Sequence, residues 1–170
     1  TNDTVCVLAS GLAGNDEINS SGKNFDTFKE ALFTVMRDLT RMLAKDGEGA
    51  TKLLECVCSG AKDLDTAIIV AKSIIRSPLF KCAMFGEDAN CGRILCAIGY
   101  ADADFDINKV SVSISSKAGS VDFSENGTIL NFSEETAKTV LHEDELLISV
   151  NLHDGDAAAT AWGCDLTYDY

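Results

Sequence analysis

The chain has 170 residues, 46% of them hydrophobic, and a formal net charge of −13 from 14 basic and 27 acidic side chains. That length and composition suit one domain, or two small packed ones, with a sizeable core, and no apolar run is long enough to span a bilayer. The acidic balance argues against nucleic acid or an anionic membrane as partner, since both need a basic patch, and favours a cationic or amine-bearing ligand.

The first residue is Thr1, not methionine, which suggests a product of processing or a fragment. An N-terminal threonine can act as a nucleophile with its own amine as base, so Thr1 is a candidate catalytic residue beside the plainer reading of an arbitrary chain end. Asp3 or Thr4 can cap a short helix through Leu8, which Gly11, Gly14 and Asn15 break, and residues 15–23 form a polar loop. Phe25, Phe28, Leu32, Val35, Met36, Leu39, Met42 and Leu43 then recur at three- and four-residue steps, the apolar face of a helix over residues 24–45.

Gly47 and Gly49 end that helix and leave Glu48 on a tight turn with little bulk beside it. A carboxylate just past a helix C-terminus faces the negative end of the dipole, a poor position unless a cation comes to it. Spacing alone leaves two readings of Glu48, an acidic surface turn or a residue that receives a cation.

Residues 51–59 alternate, with Leu54, Cys56 and Cys58 on one face and Leu53, Glu55 and Val57 on the other, which reads as a strand ended by Gly60. Residues 63–75 form a helix whose inner face is Leu64, Ala67, Ile68, Ala71 and Ile75, closed by Ser77-Pro78. Residues 79–85 read as a short strand displaying Lys81. Asn90 caps a helix over residues 91–100, with Arg93 set against the dipole in its first turn. Lys81, Glu87, Asp88 and Arg93 are candidates for one charge network or for a site lining.

After an acidic loop, residues 101–106, the remainder reads mainly as sheet. Val110, Val112 and Ile114 alternate with serines, residues 127–132 form a short strand, and Ser133 caps a helix over residues 134–141. Residues 145–152 and 159–170 are the last strands, separated by an Asp154-Gly155-Asp156 turn. The order of elements points to an α/β or α+β sandwich.

Seven cysteines, at positions 6, 56, 58, 82, 91, 96 and 164, follow no repeated spacing. They read as reduced, buried thiols of a cytoplasmic protein. Cys56 and Cys58 share a strand face, but His142 and His153 follow no finger-like spacing, so no metal is expected.

Thr1-Asn2-Asp3-Thr4-Val5, Asp46-Gly47-Glu48-Gly49-Ala50-Thr51-Lys52, Ser77-Pro78-Leu79, Lys81, Gly86-Glu87-Asp88, Asn90, Gly92-Arg93-Ile94, Ala97-Ile98-Gly99-Tyr100 and Trp162-Gly163-Cys164-Asp165-Leu166-Thr167-Tyr168 together resemble the ornithine acetyltransferase family, also called the ArgJ family, from the first residue to the last. The resemblance implies an α/β class, a DmpA/ArgJ-like α/β sandwich portion plus a smaller α+β C-terminal domain, with residues 1–48 part of the catalytic sandwich and residues 49–170 the C-terminal domain.

It further implies a glutamate N-acetyltransferase of arginine biosynthesis that takes acetyl from N-acetylornithine, or in bifunctional members from acetyl-CoA, without a cofactor. In that family a self-cleaving precursor leaves an alpha and a beta chain together, and two of each form a heterotetramer. A threonine then carries the acetyl group in a ping-pong cycle, with an oxyanion hole stabilising the tetrahedral intermediates. The nucleophilic threonine of the family lies upstream of the Thr1-Asn2-Asp3-Thr4 motif, so the resemblance turns Thr1 from nucleophile to bystander. The oxyanion-hole residues belong to the other chain, a polar tail normally comes after Tyr170, and the chain alone is expected to be inactive. Glu48 matches the family's substrate-binding glutamate. Cys91 departs from the pattern, standing where the family often has tryptophan. The alternatives are a self-processing aminopeptidase of related fold and a non-catalytic ligand-binding or assembly module.

Overall fold

A computed structural model describes residues 3–170, so Thr1 lies outside the described residues. The chain divides into two compact units, one ending at Leu43 and the other spanning Ala44–Tyr170. Fold class is α/β, as the element order indicates.

In the first unit the expected helix over residues 3–8 does not form, and among the described residues no helix begins before α1, Lys23–Lys45. The few apolar residues there, Val5, Val7 and Leu8, are exposed, so nothing repays the cost of nucleating a helix. The helix α1 has the three- and four-residue apolar spacing of its sequence, yet none of its side chains is buried, and Phe28, Phe33, Val35, Met36 and Met42 are all exposed.

The second unit is built on a six-stranded sheet with strand order β4-β3-β2-β5-β1-β6. The strands are β1 (Leu53–Ala61), β2 (Ser111–Ser116), β3 (Gly119–Glu125), β4 (Thr128–Ile129), β5 (Glu145–Asn151) and β6 (Ala157–Cys164). The helices are α2 (Leu64–Arg76), α3 (Pro78–Phe85), α4 (Cys91–Gly99) and α5 (Glu134–Leu141). Strands β1 and β5 run parallel, in register from Leu53↔Glu145 to Ser59↔Asn151, and the other pairs are antiparallel.

Alternation decides which sheet face is covered. Leu54, Cys56 and Cys58 of β1, Leu146, Ile148 and Val150 of β5, and Val112 and Ile114 of β2 are buried on one side. Ala67, Val70, Ala71, Ile74 and Ile75 of α2 join them in the core, and each large aliphatic side chain among them contributes about 1.5–3 kcal/mol through burial. On the other side Glu55, Val57, Ser113 and Ser149 stay half-exposed.

Each short helix has a side-chain cap. Asp63 accepts from Thr66 N at the start of α2, Asn90 from Arg93 N at α4, and Ser133 from Thr136 N at α5.

Several expected elements differ. Residues 79–85 belong to helix α3: Ser77 accepts from Phe80 N and Pro78 opens the first turn, so the proline that reads as a stop is a start. The strand expected over residues 127–132 shrinks to Thr128–Ile129, while Gly119–Glu125, which the sequence pattern does not indicate, forms the longer strand β3. The last strand is Ala157–Cys164, and residues 165–170 are irregular. Among the cysteines, Cys56, Cys58 and Cys91 are buried, but Cys6, Cys82 and Cys96 are exposed and Cys164 is intermediate, so the all-buried expectation fails; all seven are free thiols.

Candidate functional site

The turn after α1 is shaped by two glycines. Ala50 N donates to Gly47 O at 2.9 Å, and Gly49, with φ +67°, supplies the left-handed residue that such a turn requires. Both positions are also closed to larger residues. A Cβ on Gly47 would stand 2.6 Å from Cys164 Sγ, and one on Gly49 2.8 Å from the Asp169 carbonyl carbon. Residues near Tyr170 thus lie directly against the turn, and Thr167 Oγ1 donates to Gly49 O at 2.7 Å. Glu48 itself is exposed.

Asp165 holds the exit of the turn. It is 2% exposed, and its carboxylate accepts from Thr51 N at 2.8 Å, from Lys52 N at 3.0 Å and from the Thr51 hydroxyl. Its own N–H donates to Lys52 O at 3.2 Å. Two motifs more than a hundred residues apart, Asp46–Lys52 and Trp162–Tyr168, are therefore one structural unit.

Lys52 lies beneath, only 7% exposed. Its ammonium donates to the carbonyls of Leu141 (2.9 Å), His142 (3.4 Å) and Glu143 (3.2 Å), capping the C-terminus of α5, and stands 3.8 Å from Glu87 Oε1. The negative end of the α5 dipole and the Glu87 carboxylate together offset the cost of burying this cation. Glu87 also meets His142 Nδ1 at 2.9 Å.

Lys81, on α3, points its ammonium at Cys164 Sγ, 4.0 Å away, and Phe85 meets Tyr168 edge-on with ring centroids 5.3 Å apart. The suggested single network of Lys81, Glu87, Asp88 and Arg93 does not form. Asp88 accepts from Asn90 Nδ2, Arg93 Nη1 donates to Leu79 O, and Glu87 serves Lys52 and His142. The reason is α3: as a helix it turns Lys81 toward Cys164 and offers Arg93 a carbonyl of its own first turn.

Cys56 and Cys58 sit in the core, where burial pushes the Cys58 thiol up to about 11 and the Cys56 thiol higher still. Burial likewise raises Cys91, whose Sγ lies 3.8 Å from Phe123 O. His142 and His153 are exposed, on the surface and not in the core with that thiol pair. Among the described residues no group of three or more His, Cys, Asp or Glu is gathered to hold a metal ion.

Glu48 stands out in the sequence, whereas Asp165, Lys52 and Thr167 carry no role there. The available signal is the end of two-residue alternation at Trp162-Gly163-Cys164-Asp165, where an acid comes after a strand instead of lying within one.

This geometry has relatives among known proteins. The sequence pattern of the ArgJ family matches residues 1–170. The chain is 50% identical over 170 residues to arginine biosynthesis bifunctional protein ArgJ 1 of Clostridium acetobutylicum, a match covering all of this chain and 42% of that protein. It is also 50% identical over 170 residues to the arginine biosynthesis bifunctional protein ArgJ of Caldanaerobacter subterraneus subsp. tengcongensis, again covering 100% of this chain and 42% of the relative. The crystal structure of arginine biosynthesis bifunctional protein argJ from Bacillus halodurans is similar with a TM-score of 0.91 at 44% identity, covering 100% of this chain and 78% of that one. The chain thus spans about two-fifths of the length of these curated relatives.

Proposed function

Because this chain belongs to the ArgJ family, we propose that it forms part of an acyltransferase of arginine biosynthesis, a glutamate N-acetyltransferase that takes acetyl from N-acetylornithine. The observation that carries the reading is Glu48: an exposed carboxylate on a turn whose backbone is held by Ala50, Asp165 and Thr167. A fixed anion of this kind suits the ammonium group of ornithine or the amine of glutamate through charge-assisted hydrogen bonds.

In the proposed reaction, a threonine hydroxyl supplied from outside residues 1–170 attacks the acetyl carbonyl of N-acetylornithine. The C–N bond breaks and ornithine leaves with a proton on its amine. The glutamate amine then attacks the acyl-threonine ester, the C–O bond breaks, and the threonine hydroxyl is restored. Glu48 holds the free ammonium group of N-acetylornithine in the first half and the amine of glutamate in the second. The relatives are named as bifunctional proteins, which supports a second activity, and acetyl-CoA as a further acetyl donor is part of the proposed reading.

The same family membership supports an alpha chain of the same precursor as partner, in a cytoplasmic heterotetramer of two alpha and two beta chains. It also supports residues 1–48 completing a catalytic sandwich, with residues 49–170 as the C-terminal domain. The uncovered apolar face of α1 supports a protein partner. Among the described residues no helix is long and apolar enough to cross a membrane.

The test is acetyl transfer by the assembled protein. Glu48→Gln is expected to raise the KM for glutamate or lower kcat by about tenfold or more, since a hydrogen bond to a charged group is worth roughly 1.5–3 kcal/mol. Unchanged kinetics would remove Glu48 from the site, and peptide hydrolysis in place of transfer would favour the related self-processing aminopeptidase.

A further inference from the structure

The two amino acids of the proposed reaction differ in their charges. N-acetylornithine carries one ammonium and one carboxylate, whereas glutamate brings its amine and two carboxylates, so the acceptor needs a cation for which the donor has no use. Glu48 answers the amines. The extra carboxylate of glutamate calls for a cation beside the same turn.

Three lysines lie close to that turn, and two of them are engaged. Lys45 Nζ donates to Glu145 Oε1 at 2.6 Å. Lys52 is buried, with its ammonium given to three carbonyls and to Glu87. Lys81 is different. It is half-buried on α3, and among the described residues its ammonium has one partner, the thiol of Cys164 at 4.0 Å, and no carboxylate in ion-pair reach. A thiol is a weak acceptor, so most of the hydrogen-bonding capacity of this ammonium is left unmet by the protein. In a chain with 27 acidic and 14 basic side chains, a carboxylate is the partner such a cation would ordinarily find.

The thiol also fixes where the ammonium stands. Cys164 Sγ lies 2.6 Å from the position that a Cβ on Gly47 would take, so a single sulfur atom separates the Lys81 ammonium from the residue before Glu48. Two further contacts hold α3 to the same segment: Leu166 N donates to Lys81 O at 3.5 Å, and Phe85 meets Tyr168 edge-on. The cation is thus held against the turn that presents Glu48, on backbone that Asp165 and Thr167 fix.

We propose that Lys81 receives the side-chain carboxylate of glutamate while Glu48 holds its amine, which makes Lys81 a determinant of acceptor specificity. This rests on the acetyl-transfer reading and adds to it the residue that tells acceptor from donor. The side-chain ammonium of N-acetylornithine gains nothing from Lys81. A neutral amide in place of the carboxylate loses the charge-assisted bond, so glutamine is the acceptor that the site turns away.

The experiment uses the full-length assembled protein and measures the two halves of the reaction separately. Exchange of labelled ornithine into N-acetylornithine reports the donor half alone, and acetylation of glutamate or glutamine reports the acceptor half. In the parent, kcat/KM is expected to be higher for glutamate than for glutamine by about tenfold or more. Lys81→Met, which keeps an unbranched stem, should raise the KM for glutamate by about tenfold or more and erase the preference over glutamine. Its loss should fall on the acceptor half, whereas Glu48→Gln should depress both halves. Lys81→Arg, which keeps the charge, should keep the preference for glutamate. Equal use of glutamine by the parent, an unchanged glutamate KM in Lys81→Met, or an equal fall of both halves in that variant, the mark of a damaged turn, would each overturn the proposal. A parent that exchanges no ornithine would remove the acetyl-transfer reading itself, and the proposal with it.

Discussion

Asp165 is the side chain on which the Glu48 turn depends. It satisfies two backbone N–H groups, those of Thr51 and Lys52, at the entry to β1. Asp165→Ala would leave both donors unpaired, that of Lys52 in a buried place, and a buried donor without a partner costs roughly 1–3 kcal/mol. The expected outcome is a loss of about 2–4 kcal/mol in denaturant unfolding of the assembled protein, together with a raised KM for glutamate in whatever fraction stays folded. The site's legibility rests on the same chemistry. Glu48 is readable because two glycines flanking one residue point to a constrained turn. Asp165 is not, because a buried carboxylate is recognised by its partners, and these lie more than a hundred residues away in sequence.

At the scale of elements, local signals locate most of the fold. Helix α1, strand β1 and helices α2, α4 and α5 come from periodicity and caps within a residue or two. The failures are short segments. Pro78–Phe85 is too brief to show a helical period, and its start is set by the Ser77 cap, a feature shared with a turn. Gly119–Glu125 looks too polar for a strand, because only Val121, Phe123 and Ser124 are buried and a register shift at Val112/Ser113 breaks the alternation.

Caps also bring pH dependence. The Thr66 N–H donated to Asp63 holds that carboxyl below its usual value in the folded chain. The unfolded chain therefore binds the proton first as pH falls. The stability this cap contributes is present above the ordinary carboxylate pKa and is lost as pH falls through the depressed folded value. Asp63→Asn keeps the capping oxygen without the charge, so its urea midpoint should vary less between about pH 6 and about pH 3 than that of the parent.

For the molecule as a whole, the sheet order places β1 between its most distant strands in sequence, β5 and β6. Both long edges of this strand are closed only by residues from Glu145 onward, with Leu53 paired to Glu145 on one side and to Cys164 on the other. Ending the chain before Glu145 should leave Leu54, Cys56 and Cys58 without a sheet, and the product should be digested by a protease under conditions where the parent survives. A protected truncated chain would show that α2 alone can cover β1.

The same topology sets a schedule during synthesis. β1 leaves the ribosome roughly a hundred residues before β6 does, and at about 5–20 residues per second that interval is on the order of ten seconds. Through that wait the nascent chain carries a strand with two open edges and a buried-type sequence, the state most exposed to wrong pairing. The acidic balance of this chain, already net negative before Glu145 and −13 over all 170 residues, then acts as a folding aid, keeping unfinished copies apart by mutual repulsion until their own C-terminal strands arrive.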